Sequence, residues 1–111
     1  MRSQAPITIQ RMLTLRQYPG FSDADISELA TIAENVVERR FAARATVDAP
    51  GSPVPAIHLI VEGRLEAAGS GRAWGPRHVY GALEAIAGRA AAERVVATTD
   101  TRTLQLAAAD L

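Results

Sequence analysis

The chain contains no cysteine and no lysine among its 111 residues. Without thiols, disulfide frameworks, thiolate zinc sites, iron–sulfur clusters and cysteine nucleophiles are excluded. Aromatic residues make up only 5% of the sequence. Long apolar runs are missing as well: the longest, Ala56 to Val61, is interrupted by His58, and roughly 20 residues are needed to cross a bilayer. Net charge is zero, with 12 Arg against 12 Asp plus Glu. A balanced chain has no broad basic face, which argues against nucleic acid and membrane as partners of this chain alone. The opening Met-Arg-Ser-Gln-Ala-Pro has no apolar segment of the secretory kind, so the expected location is cytoplasmic.

What is present suits a single domain. Hydrophobic residues are 48% of the sequence, and a chain of this length buries roughly two-thirds of the surface its unfolded form exposes. The 22 Ala, with Arg used in place of Lys, look like coding from a GC-rich genome, so a bacterial source is expected.

Hydrophobic spacing divides the chain into a helical front, 1–34, and a β segment, 35–111. Ile9, Met12, Leu13 and Arg16 recur at helical spacing, which predicts a short helix over 7–17 ahead of the Pro19-Gly20 turn. Ser22 is the expected N-cap of a second helix over 23–34. Asp23 and Asp25 suit its positive end, and Ile26, Leu29, Ala30 and Ala33 form its apolar stripe. Phe21, just before that cap, is expected in the core.

After Asn35 the period changes to two, giving strands around Val37–Phe41 and Ala45–Val47 before a proline-rich loop at 50–55. The longest strand pattern is Ala56–Ala67. Ile57, Leu59, Val61, Leu65 and Ala67 share its buried parity, and Gly63 marks a bulge or a close backbone approach. Turns at Gly69–Gly71 and Gly75-Pro76 flank a short strand with Trp74. His78 to Tyr80 lead to Gly81, Leu83, Ile86 and Ala87 define a short helix closing at Gly88, and strands at Val95–Thr99 and Thr103–Leu106 flank Asp100. The expected fold class is mainly β (α+β): an antiparallel β-roll or jelly roll with N-terminal helices.

No constellation of catalytic residues emerges. His58, expected on the outer strand face, and His78, in a turn, are too few for a metal site, and no serine has a partnered histidine. Glu62, Arg64 and Glu66 read as a charge ladder on one strand face. Trp74 reads as core or rim, although an indole face also suits a purine. Arg39, Arg40 and Arg44 form either a small anion-contact patch or a solvated edge.

Three strings carry a resemblance. "LRQYPGFSDADISELA" at 15–30, "APGSPVPAIHLIVEGRLEA" at 49–67 and "WGPRHVYGALEAIAG" at 74–88 resemble, in order and spacing, the cyclic nucleotide-binding domain of the catabolite-activator type. The likeness covers about residues 10–111. In that family a glycine lets the backbone approach the cyclic phosphate and the next short helix aims its N–H groups at the anion. A Glu after the glycine accepts from the ribose 2′ hydroxyl, and an Arg about ten residues on pairs with the phosphate. Matched residue by residue, the glycine is Gly81 and the helix is Leu83–Ala87. Ala82 stands in place of the Glu, Ala91 in place of the Arg and Ala90 in place of the Pro before it, while Ala92 keeps the small residue that follows.

Two lost charge-assisted bonds at about 1.5–3 kcal/mol each correspond to about a hundredfold to ten-thousandfold in affinity. Glu84, Arg89, Glu93 and Arg94 flank the cassette and are expected as solvated charges, with Arg89 the candidate to reach an anion if the loop shifts. The ligand site, if any, is therefore Gly81, Ala82, Leu83, Arg89, Ala91 and Ala92. The resemblance implies a non-enzymatic regulatory or protein-interaction module in a larger polypeptide, with a protein partner or a covalently linked effector domain, and oligomerisation remains open. It implies no catalytic residue, metal or cofactor, cyclic nucleotide being the disfavoured ligand. The alternative is a working sensor of cAMP, cGMP or another anion, including the sensor part of a transcription regulator. The family's linking helix is expected to begin near Asp110-Leu111.

Overall fold

The computed structural model describes residues 5–107, with side chains from residue 8 onward; Asp110-Leu111 and the expected start of a linking helix lie outside them. The chain divides after Val36 into two compact units. The first holds helices α1 (Ala5–Leu15) and α2 (Ile26–Asn35). Both differ in phase from the sequence expectation. Leu15 and Tyr18 are buried, whereas Ile9 and Leu13 of the expected stripe are exposed. Two successive turns, Phe21 N–H to the Tyr18 carbonyl and Ala24 N–H to the Phe21 carbonyl, occupy the segment where α2 was expected to start. The cap is therefore Asp25 instead of Ser22. Its backbone is extended and its Oδ1 accepts the Glu28 N–H at 2.8 Å, which holds the Asp25 carboxyl below the usual range. Phe21 is half-buried, outside the core, and Ile26 is exposed, leaving Leu29 and Ala33 as the buried face.

The second unit is the β-roll. Strands β1 (Val37–Phe41), β8 (Thr101–Ala107), β3 (Ala56–Glu62) and β6 (Val79–Tyr80) form one antiparallel sheet in that order. Strands β2 (Thr46–Asp48), β7 (Val95–Ala97), β4 (Leu65–Ala67) and β5 (Ala73–Trp74) form the other. Helix α3 (Ala82–Ala87) is inserted between β6 and β7. Ile60 and Tyr80 from the first sheet meet Leu65, Ala67, Val95 and Ala97 from the second in one buried cluster, edged by Phe41, Val47 and Trp74.

The 56–67 segment is two strands instead of one. Gly63 adopts φ +93°, and a Cβ there would lie 2.5 Å from the Asp100 carbonyl oxygen, so the close approach inferred from sequence is real. The break also reverses the alternation. Ile60 faces the core in β3, while Leu65 and Ala67 face it in β4, so the single buried parity expected for Ile57 through Ala67 does not hold. Ile57, His58, Leu59 and Ile60 are all buried.

His58 is thus in the interior, not on the outer face. It lies against Phe41 and Tyr80 at ring distances of 5.8 and 5.9 Å, and its Nδ1 is 3.1 Å from Thr103 Oγ1. Burial first, and the Arg39 charge second, lower its pKa to about 4. The charge ladder separates as well: Arg64 pairs with Glu66 at 3.5 Å, whereas Glu62 pairs with Arg102. Arg39, Arg40 and Arg44 are all exposed. Arg39 bonds Gln105 and lies over Phe41, Arg40 pairs with Glu38, and Arg44 sits in a turn at φ +73°. No helix among the described residues is long and apolar enough to cross a membrane.

Candidate functional site

The cassette is built as a glycine-bounded helix. Gly81 takes a left-handed backbone, φ +87°, and is packed so closely that a Cβ would lie 3.1 Å from Val54 Cγ1 and 3.3 Å from the Ala56 carbonyl oxygen. Only glycine meets both demands. Gly88 closes α3 at φ +69°, where its N–H bonds the Glu84 carbonyl. The sequence thus located this helix at both ends. Its apolar residues point the other way from the usual pattern: Leu83 and Ile86 are exposed, and Ala85 is the buried contact.

The segment after α3 is held by the proline-rich loop. Ala91 N–H donates to the Ser52 carbonyl at 2.9 Å, the Gly51 N–H donates to the Ala91 carbonyl at 2.8 Å, and Pro53 bridges Ala90. Ala91 is therefore buried with its backbone fully committed. Ala82 is half-buried, Ala92 is exposed and Arg89 is exposed.

These elements enclose a cavity of about 210 Å³ lined by Leu83, Glu84, Arg89 and Ala90 through Glu93 on one side and by Ala67, Arg72, Trp74, Tyr80 and Val95 on the other. The structure thus brings Leu83, Arg89, Ala91 and Ala92 to the cavity lining, whereas Gly81 and Ala82 are not part of it. At Ala91, where the resemblance calls for a guanidinium, the cavity meets a methyl group.

Sequence reasoning weighed Trp74 as core or rim and as a purine face, missed Arg72 and Tyr80 beside it, and misjudged Glu84. Trp74 packs edge-on against Tyr80 at 4.8 Å, and the Arg72 guanidinium lies 5.0 Å over the indole. Tyr80 donates its hydroxyl to Asp48 Oδ2 at 2.7 Å. Burial and then this bond push the Tyr80 phenol well above its usual range. Burial raises the Asp48 carboxyl, the bond from Tyr80 opposes the rise, and the Glu84 charge adds to it. Glu84 is half-buried, and its Oε2 is shielded from solvent without a hydrogen-bond partner among the described residues. Of the other flanking charges, Glu93 accepts the Ser70 N–H and Arg94 bonds Thr46 Oγ1. The one sequence signal for this arrangement is the unbroken run Tyr80-Gly81-Ala82-Leu83-Glu84, in which the glycine fixes where its neighbours point.

A larger depression, about 470 Å³, lies between β1, the end of β3 and the start of β8. Its charges are satisfied: Arg102 spans Glu38 and Glu62, Arg40 pairs with Glu38, and Asp100 accepts the Ala43 N–H. No set of His, Asp and Glu among the described residues is grouped to hold a metal ion.

No family model and no curated protein sequence matches the chain. Solved structures do. The regulatory domain of Toxoplasma gondii PKA with cAMP is 19% identical at TM-score 0.81, over 99% of this chain and 44% of that one. The regulatory subunit of a cAMP-independent protein kinase A from Trypanosoma brucei is 22% identical at TM-score 0.75, over 91% and 42%. That structure is a triple variant, Glu to Ala, Thr to Arg and Val to Ala, bound to cAMP in the A site. The N-terminal domain of a transcriptional regulator from Streptomyces coelicolor A3(2) is 24% identical at TM-score 0.75, over 88% and 76%. The chain spans less than half the length of the first two. It has the cyclic nucleotide-binding domain fold.

Proposed function

We propose that this chain is a regulatory or protein-interaction module whose cassette has lost the usual grip on a cyclic phosphate, and that it works within a larger protein. The observation that carries this reading is Ala91. Its methyl lines the cavity where the arginine is expected, and the loop 51–53 fixes its backbone so that a neighbouring side chain does not take its place. Arg89, the candidate substitute, is exposed. The Trypanosoma brucei variant supports the reading. Its three substituted positions are separated by seven and eight residues, the same separations that run here from Glu84 to Ala91 and to Ala92.

The test is calorimetry with cAMP, cGMP and cyclic dinucleotides at millimolar concentration. We expect no heat from the natural sequence. Introducing Ala82→Glu, Glu84→Ala and Ala91→Arg together is expected to raise cAMP affinity by roughly a hundredfold to ten-thousandfold. Tight binding by the natural sequence would instead make the module a working sensor. The regulatory settings of the solved neighbours, a kinase subunit and a transcriptional regulator, support a protein partner or a covalently linked effector domain.

A further inference from the structure

We infer that the open edge of β1 is a docking surface for a second copy of this chain, the two β1 strands pairing antiparallel about a twofold axis at Arg39. The surface lies outside the cassette, and the inference is independent of what the cassette binds.

Three observations converge on it. The first is the edge itself. Among the described residues the two sheets end in β1, β6, β2 and β5, and an edge strand presents unpaired N–H and C=O groups that template a further strand. Three of these edges are blunted: β5 and β6 have two residues each, and β2 has three with a register shift between Thr46 and Asp48. β1 has five residues in unbroken register with β8, from Val37 opposite Gln105 to Phe41 opposite Thr101. Side-chain bonds close off the chain on either side of it, since Arg11 donates to the Val36 carbonyl at 3.3 Å and Asp100 accepts the Ala43 N–H at 2.9 Å. The strand between them is centred on Arg39.

The second observation is that this strand is complementary to itself. Residues directly opposite in an antiparallel pair lie on the same face, so a symmetric pair turns about a residue and not about the bond between two. An axis at Arg39 sets Glu38 opposite Arg40 twice and Val37 opposite Phe41 twice. An axis one residue earlier sets Glu38 against Glu38, and one residue later Arg40 against Arg40. Opposite charges and pairs of a β-branched with an aromatic residue stabilise cross-strand neighbours, whereas like charges directly opposite destabilise them. The charges that repel the wrong registers thus select this one.

The third is the placement of the side chains. Val37 is 57% exposed, an apolar side chain left uncovered at the edge. The Arg40 side chain pairs with Glu38 at 3.0 Å and is still 77% exposed, so it has donors left for Glu38 of a second copy. Arg39 would meet its own copy at the axis, but it is drawn back toward β8 by Gln105 at 3.1 Å and lies over its own Phe41 ring. Five paired residues bury less than the roughly 1,200 Å² of a stable complex, so free chains associate weakly and copies tethered close together associate more strongly.

The experiment is sedimentation of the whole chain from micromolar to millimolar concentration. We expect monomer at the low end and dimer at the high end. Arg40→Glu and Glu38→Arg are each expected to weaken the dimer about tenfold or more, because each reversal sets like charges opposite at both sites. Arg102 keeps Glu62 when Glu38 is replaced, and urea unfolding checks that both variants are folded. Mixing the two variants is expected to restore the dimer, since the acidic strand of one then faces the basic strand of the other. The chain has no cysteine, so Arg39→Cys places a single thiol on the axis, where opposite Cα atoms about 5 Å apart suit a disulfide. With oxidised glutathione it is expected to cross-link at least about tenfold faster than Val37→Cys, whose two copies lie four residues out of register. A chain that stays monomeric to millimolar concentration would overturn the inference. So would dimers indifferent to either reversal, a mixture that recovers nothing, or cross-linking no faster at position 39 than at 37.

Discussion

His58 puts a titratable group where the chain has little room for charge. In the fold its pKa is about 4, against an ordinary value of 6.5, so folding favours the neutral ring. The unfolded chain takes up this proton first as pH falls. The stability contributed by a neutral His58 is therefore complete above about pH 6.5 and is lost progressively as pH drops toward 4. The loss amounts to about 3 kcal/mol for a difference of this size. Asp48, whose pKa is raised, works in the opposite sense, gaining stability on protonation, so the part of the slope that disappears in His58→Gln is the part that belongs to His58. Urea unfolding at half-unit pH steps is expected to show that slope in the natural chain and to flatten it in His58→Gln. A flat profile in both would remove the histidine from the acid response. The sequence did not disclose this role. His58 alternates with Ile57 and Leu59 as a surface residue would, and only the burial of both faces of β3 makes it internal.

Among the elements, the two legible features were those that glycine dictates. Gly63 and Gly81–Gly88 were readable because a missing side chain in an otherwise regular pattern signals a backbone demand, and the structure supplies it as positive φ and close approach. Gly63→Ala is expected to cost at least about 2 kcal/mol, since left-handed strain is joined by a collision with the Asp100 carbonyl. Gly71→Ala, with φ +74° and nothing within 4 Å, is expected to cost only about 1 kcal/mol. Denaturant midpoints of the two variants measure the difference. The helix boundaries were less legible. Ser22 and Asp25 are both good caps, and the choice was made by the turns at 18–24, which leave no signature in periodicity. Accordingly Asp25→Ala is expected to destabilise the chain by about 1 kcal/mol and Ser22→Ala by almost nothing, as read from the same unfolding curves.

For the molecule as a whole, composition and spacing led to the right fold but not to the chemistry of its cavity. The order of strands, the proline-rich loop and the glycine-bounded helix survive as patterns in one dimension. Glu84, Asp48, Trp74 and Tyr80 are brought to the cavity by two sheets that close only in three dimensions. That closure joins distant parts of the chain: β1 pairs with β8 so that Val37 lies opposite Gln105. Pairing of this range is slow, and stopped-flow refolding is expected on the millisecond-to-second scale of β-rich domains; microsecond refolding would contradict it. The reversal at Gly63 also gives the roll something like a reading frame of two. The inward letter is even in β3 and odd in β4, and the Gly63-Arg64 junction is a built-in frameshift between them. Deleting one residue there would put Glu66 where Leu65 and Ala67 belong and garble everything pairing with β4, whereas an insertion of two would keep the message in phase.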